Sequence, residues 1–138
     1  MSVRFEGGCL CGAVRYVCTA EPVVAGHCYC EDCRRSSGTG HCSHLGVPEA
    51  SVSLTGETKE YSRAADSGSV VTRHFCPVCG AAVFSTNPNM PGLIVLRASS
   101  LDDLEVFKPQ MQVFVSRAAS WDHRTDGLPA FDTMPPGM

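Results

Sequence analysis

Seven of the nine cysteines in this 138-residue chain fall into three short clusters, and no other feature limits the possible folds so strongly. Cys9 and Cys11 form a C-x-C within Gly7-Gly8-Cys9-Leu10-Cys11-Gly12. Cys28, Cys30 and Cys33 form a C-x-C-x-x-C. Cys76 and Cys79 form a C-x-x-C closed by Gly80. Seven clustered thiols divide into four plus three. Four thiolates close a structural zinc site, whereas three leave a position for chemistry.

Bulk properties narrow the class. The length suits one domain, 1–138, with an ordered C-terminal tail from about Arg117. A formal charge of −3 and a pI near 5.9 lack the basic excess of a nucleic-acid binder, so that partner class is disfavoured. The N-terminus carries no apolar signal-like run, and no stretch reaches the ~18 apolar residues of a membrane span. A cytosolic protein is expected, and there clustered cysteines read as metal ligands or redox thiols rather than disulfides.

The periodicity is short and β-like. Strands are expected over 13–18, 22–28, 41–47, 51–54, 60–62, 70–75, 81–85, 93–97 and 112–115, with a helical turn over 100–104 capped by Ser100. The segment from Trp121 to Met138 has no period and reads as an ordered loop, anchored by packing of the Trp121 ring. A mainly antiparallel β domain with short helical turns follows, and metal clips would supply stability that so many small hydrophobic units lack.

In an extended chain, a C-x-C puts both Cβ atoms on one face. Zinc–sulfur bonds of about 2.3 Å in a tetrahedron place sulfurs roughly 3.8 Å apart, within reach of i and i+2. A C-x-x-C closed by glycine is a zinc knuckle, with Pro77 fixing one φ and Gly80 permitting the return. Cys9, Cys11, Cys76 and Cys79 are therefore expected to form one closed site. At Cys28, Cys30 and Cys33 the fourth ligand is either protein (Cys42, His27, His41 or His44) or solvent and substrate. Arg34-Arg35-Ser36-Ser37-Gly38 follows the triplet. If the chain turns helical after Cys33, its N–H groups would face an anion, and two arginines add bidentate carboxylate partners. The alternative is that the pair neutralises Glu31 and Asp32. Cys18 and Cys42 read as buried small hydrophobes.

Gly8-Cys9-Leu10-Cys11-Gly12-Ala13-Val14-Arg15-Tyr16, Cys28-Tyr29-Cys30-Glu31-Asp32-Cys33-Arg34-Arg35-Ser36-Ser37-Gly38 and Phe75-Cys76-Pro77-Val78-Cys79-Gly80 occur in this order. So do Ser116-Arg117-Ala118-Ala119-Ser120-Trp121 and Leu128-Pro129-Ala130-Phe131. Together they resemble the glutathione-dependent formaldehyde-activating enzyme family, which includes centromere protein V. The resemblance implies a β-tent fold, two zinc sites and carbon–sulfur lyase chemistry. It implies that Cys9, Cys11, Cys76 and Cys79 hold structural zinc and that Cys28, Cys30 and Cys33 hold the catalytic one. Tyr29 stands where the family's triplet usually carries histidine. The expected reaction is reversible addition of a small thiol, glutathione or another, to formaldehyde or a related aldehyde. Arg34 and Arg35 would anchor a carboxylate, Ser36 and Ser37 would hydrogen-bond the substrate, and His27, His41 and His44 are proton-transfer candidates. The rival expectation is a non-catalytic zinc module, both metals structural, serving protein interaction.

Overall fold

Pleat alternation in a single large sheet separates the hydrophobic core of this protein from its chemistry. The computed structural model describes residues 3–136, so the last two residues of the expected tail lie outside the described residues. The strands are β1 (Phe5–Gly8), β2 (Arg15–Cys18), β3 (Val24–Cys28), β4 (Cys42–Pro48), β5 (Val52–Thr55), β6 (Lys59–Ala64), β7 (Val70–Phe75), β8 (Ala82–Thr86), β9 (Leu93–Arg97) and β10 (Met111–Val113). One helix, α1 (Glu31–Ser37), follows β3. The strands form a three-stranded sheet in the order β1-β2-β5 and a seven-stranded sheet in the order β10-β3-β4-β9-β8-β7-β6. The expected mainly β, antiparallel architecture is observed, with one exception: β10 runs parallel to β3.

The core lies between the sheets. Phe5, Val14 and Tyr16 come from the small sheet and its hairpin, and Ala25, Leu45, Val47, Phe84, Ile94 and Leu96 from the large one. Leu45 lies opposite Leu96, and Val47 opposite Ile94. A period of two then sends His44, Val95 and Arg97 to the other face of the large sheet.

Several local expectations are corrected. Strand β1 lies outside the expected strands. Gly7 is required there, since a Cβ would overlap the Tyr16 hydroxyl and the Ser100 carbonyl. The turn expected over 100–104 is replaced by 3-10 turns at Ala98–Ser100 and Leu104–Val106. Ser100 caps neither; its hydroxyl donates to the Arg97 carbonyl and lies 2.6 Å from the Tyr16 hydroxyl. The Asp103 carboxylate caps the second turn by accepting from the Glu105 N–H at 3.0 Å. The last strand ends at Val113 because Phe114 adopts a left-handed φ of 55°.

The tail is ordered, but Trp121 does not anchor it: its ring is 68% exposed. Backbone hydrogen bonds lay 129–133 along β10, with Gln112 bonded to Pro129 and Phe131. The buried Gln112 side chain adds bonds to the Thr125 N–H and carbonyl at 3.0 and 2.8 Å. The Asp122 carboxylate meets His41 Nδ1 at 2.7 Å. That approach crosses Gly40, where a Cβ would overlap the carboxylate. Gly40→Ala is therefore expected to cost about 1–3 kcal/mol by forcing the tail away. Urea denaturation measures it, and an unchanged midpoint would contradict this packing.

Candidate metal centres and active site

The β1–β2 loop of the small sheet carries Cys9 and Cys11, and the β7–β8 loop of the large sheet carries Cys76 and Cys79. All four sulfurs lie within 4.8 Å of one another. Cys11 Sγ sits 3.7 Å from both Cys9 Sγ and Cys76 Sγ, the sulfur spacing of tetrahedral zinc. Local turns set this geometry. The Cys9 N–H bonds the Val14 carbonyl, and the Gly80 N–H bonds the Cys76 carbonyl, with Gly80 at φ 78°. Backbone N–H groups of Val14 (3.2 Å, on Cys9) and Val78 (3.3 Å, on Cys76) point at sulfur, as thiolates require. The Ala81 and Cys11 backbones pull the Cys79 thiol down to about 6. A metal here would staple one sheet to the other.

The second cluster sits on the outer face of the large sheet. Cys28 ends β3, Cys30 caps α1 and Cys33 lies buried in its first turn. Their sulfurs also lie within 4.8 Å of one another. The helix starts earlier than expected, at Glu31, because Cys30 takes the N-cap role: its Sγ accepts from the Cys33 N–H at 3.3 Å. One first-turn N–H, that of Cys33, therefore serves the thiol cluster. Hydrogen bonds with Cys28 and Cys33 pull the Cys30 thiol down to about 2, while Cys28 and Cys30 push Cys33 up. One thiolate thus forms readily and resists the others. A bound dication is what allows all three to ionise, so this donor set fits a metal.

No other His, Cys, Asp or Glu among the described residues joins the triplet within that reach. The nearest candidate, His44 Nε2, stands 3.9 Å from Cys33 Sγ. Burial, with the charge of Arg97, pushes His44 down to about 3, so it stays neutral. Cys42 lies opposite Cys28 in the strand register, buried, its thiol pushed up to about 11 by burial.

Pleat alternation divides the other expected residues. His44 shares the triplet face. His27 pairs with Ser43 at 2.8 Å on the opposite face, and His41 packs there against His27 and Tyr29. Tyr29 is 1% exposed and points away from the thiols, its ring on His41 and its hydroxyl directed to Gln112. Tyr29→Phe is accordingly expected to leave turnover within about twofold and to cost about 1 kcal/mol of stability; a large kinetic loss would contradict this orientation. On α1, Arg35 is exposed and its Nε pairs with Glu31 at 3.0 Å. The Ser36 hydroxyl donates to the Cys33 carbonyl, and the Ser37 hydroxyl to the Arg34 carbonyl.

The sequence reasoning passed over Arg97 and Arg73. Arg97 is 4% exposed, and its Nη2 donates to Ser36 Oγ at 3.1 Å. It closes an apolar run and so reads from sequence as a strand end; only its pairing with His44 shows which face it joins. A cavity of about 570 Å³ bordered by Phe5, Glu21, Val24 and Lys108 holds none of the clustered cysteines.

The model of the glutathione-dependent formaldehyde-activating enzyme family matches residues 4–117, which include both thiol clusters. The chain belongs to this family. A Halomonas elongata protein named provisionally as a glutathione-dependent formaldehyde-activating enzyme is 31% identical over 122 residues, covering 84% of this chain and 78% of that protein. The crystal structure of a Rhodobacter sphaeroides protein superposes with a TM-score of 0.58 at 17% identity, covering 91% of this chain and 98% of the other, which shows a shared fold. No helix among the described residues is long and apolar enough to cross a membrane.

Proposed function

We propose that this family member is a zinc-dependent carbon–sulfur lyase that reversibly adds a small thiol, glutathione or a relative, to formaldehyde. The observation that carries the reading is the triplet: three clustered thiols that no other His, Cys, Asp or Glu among the described residues joins within 4.8 Å of all three. Zinc bound by Cys28, Cys30 and Cys33 would lower the pKa of the substrate thiol so that it attacks as thiolate. Cys9, Cys11, Cys76 and Cys79 would hold a second zinc with a structural role.

Atoms balance simply. The thiol sulfur bonds the aldehyde carbon, and the thiol proton ends on the aldehyde oxygen, giving an S-hydroxymethyl product. His44 is the histidine on the triplet face and is the proton-relay candidate of this reading; His27 and His41 lie on the far face. Arg34, Arg35, Ser36 and Ser37 are its helix-borne substrate contacts, and Ser36 has the strongest support because its hydroxyl meets Arg97. The alternative, a module with two structural metals, needs a protein ligand to complete the triplet.

Carbon-13 NMR of labelled formaldehyde with a thiol and the metal-replete protein tests the reading. Exchange between free formaldehyde and the hydroxymethyl adduct is expected to accelerate in proportion to enzyme. A rate equal to that of buffer would reject the lyase reading.

A further inference from the structure

The face that carries the triplet also carries unmatched positive charge. Strand register puts Arg73 opposite Ser85, Ser85 opposite Val95, and Arg97 opposite His44. Cys28 lies opposite Cys42, two residues before His44. With a period of two, all of these share one face. The arginine of β9 is held beneath α1 by its bond to Ser36, one turn after Cys33.

The cations around this face differ in one respect. Arg63 pairs with Asp32 at 3.5 Å, Arg117 with Asp66 at 2.9 Å and Arg35 with Glu31 at 3.0 Å. Among the described residues no carboxylate lies within ion-pair distance of Arg34, Arg73 or Arg97; Arg34 stands on α1, and Arg73 and Arg97 stand on the sheet face beside it. The Arg63–Asp32 pair ties β6 to α1, so its neighbour β7, which bears Arg73, runs close to the helix that carries Cys33. Arg97 is buried, and a buried cation without a counter-charge is costly; Arg73 is half-buried.

We propose that Arg97 and Arg73 are the specificity-determining pair of this site and that they select a thiol bearing a carboxylate a few bonds from its sulfur. The inference rests on the lyase reading for its thiol. The spacer is short because Arg97 and His44 are direct cross-strand neighbours, with Cβ atoms about 5 Å apart, and His44 Nε2 is 3.9 Å from Cys33 Sγ. Arg97 retains N–H donors beyond the one given to Ser36, and a guanidinium matches a carboxylate in two-point geometry. The helix-borne Arg35, by contrast, is exposed and already paired with Glu31.

Isothermal titration calorimetry of the zinc-loaded protein with mercaptopropionate and with mercaptopropanol isolates the carboxylate. The acid is expected to bind about 10- to 100-fold more tightly, the range of charge-assisted hydrogen bonds. Arg73→Gln is expected to bring that ratio close to one with zinc content unchanged. Arg97→Lys, which keeps charge but loses the fork, is expected to reduce it. Equal affinities in the wild-type protein, or a preference that survives Arg73→Gln, would overturn the inference. Turnover of both thiols at equal affinity would remove this pairing and leave the lyase reading intact. Selective binding of the acid without turnover would do the reverse.

Discussion

Serine in place of Cys76 is expected to leave little folded protein. Cys76 is 0% exposed, belongs to the core cluster, and sits 3.7 Å from Cys11 on the opposite sheet's loop. The substitution removes one of four ligands and leaves a buried hydroxyl among groups placed for a thiolate. Structural zinc contributes about 10–16 kcal/mol in small zinc-finger peptides, against a total stability of about 5–15 kcal/mol for an ordinary domain. Losing even a large part of that exceeds what ten short strands supply in reserve. Circular dichroism melts should show no cooperative transition, and strong chelators should unfold the wild-type chain to the same state. Cys18→Ala is the control: Cys18 is equally buried in the same core but stands apart from both cysteine groups, and the change should cost about 1–3 kcal/mol. A normal melt for Cys76→Ser would contradict a structural role for this centre.

Serine in place of Cys30 should have the opposite profile. Turnover should fall by about a thousand-fold or more, because the metal that prepares the thiol loses a ligand. The fold should survive. Cys30 lies outside the core cluster, on the outer face, and its structural duty is to cap α1 by accepting from the Cys33 N–H. Serine is a strong N-cap and can accept the same hydrogen. One metal per chain should remain, at the four-cysteine centre. Elemental analysis alongside the melting curve separates the outcomes: an active variant would reject the catalytic triplet, and an unfolded one would assign it a structural role.

The two cysteine clusters were legible in the sequence because their information is local. A C-x-C on a strand and a glycine-closed C-x-x-C each present two sulfurs to one point, whatever the rest of the chain does. The strands around Leu45 and Leu96 were legible for the same reason. What failed depended on contacts between distant residues. Strand β1 had no place among the expected strands, and Gly7 within it is required by the space that Tyr16 and Ser100 occupy. The start of α1 was hidden because its cap is a cysteine rather than serine or aspartate. His27, His41 and His44 looked equivalent by proximity, and only the pleat put one of them with the thiols. Arg97 gained meaning from its pairing with His44, and Gly40 from Asp122, which arrives from the tail.

The central claim is one protein with two centres of different function, and metal stoichiometry coupled to turnover tests it most directly. Purified metal-replete protein should hold about two zinc ions per chain and should accelerate hydroxymethyl-thiol exchange. Mild chelation should remove one ion, abolish exchange and leave the melting transition in place. Full activity with one ion per chain, or loss of fold and activity together with the first ion removed, would contradict it.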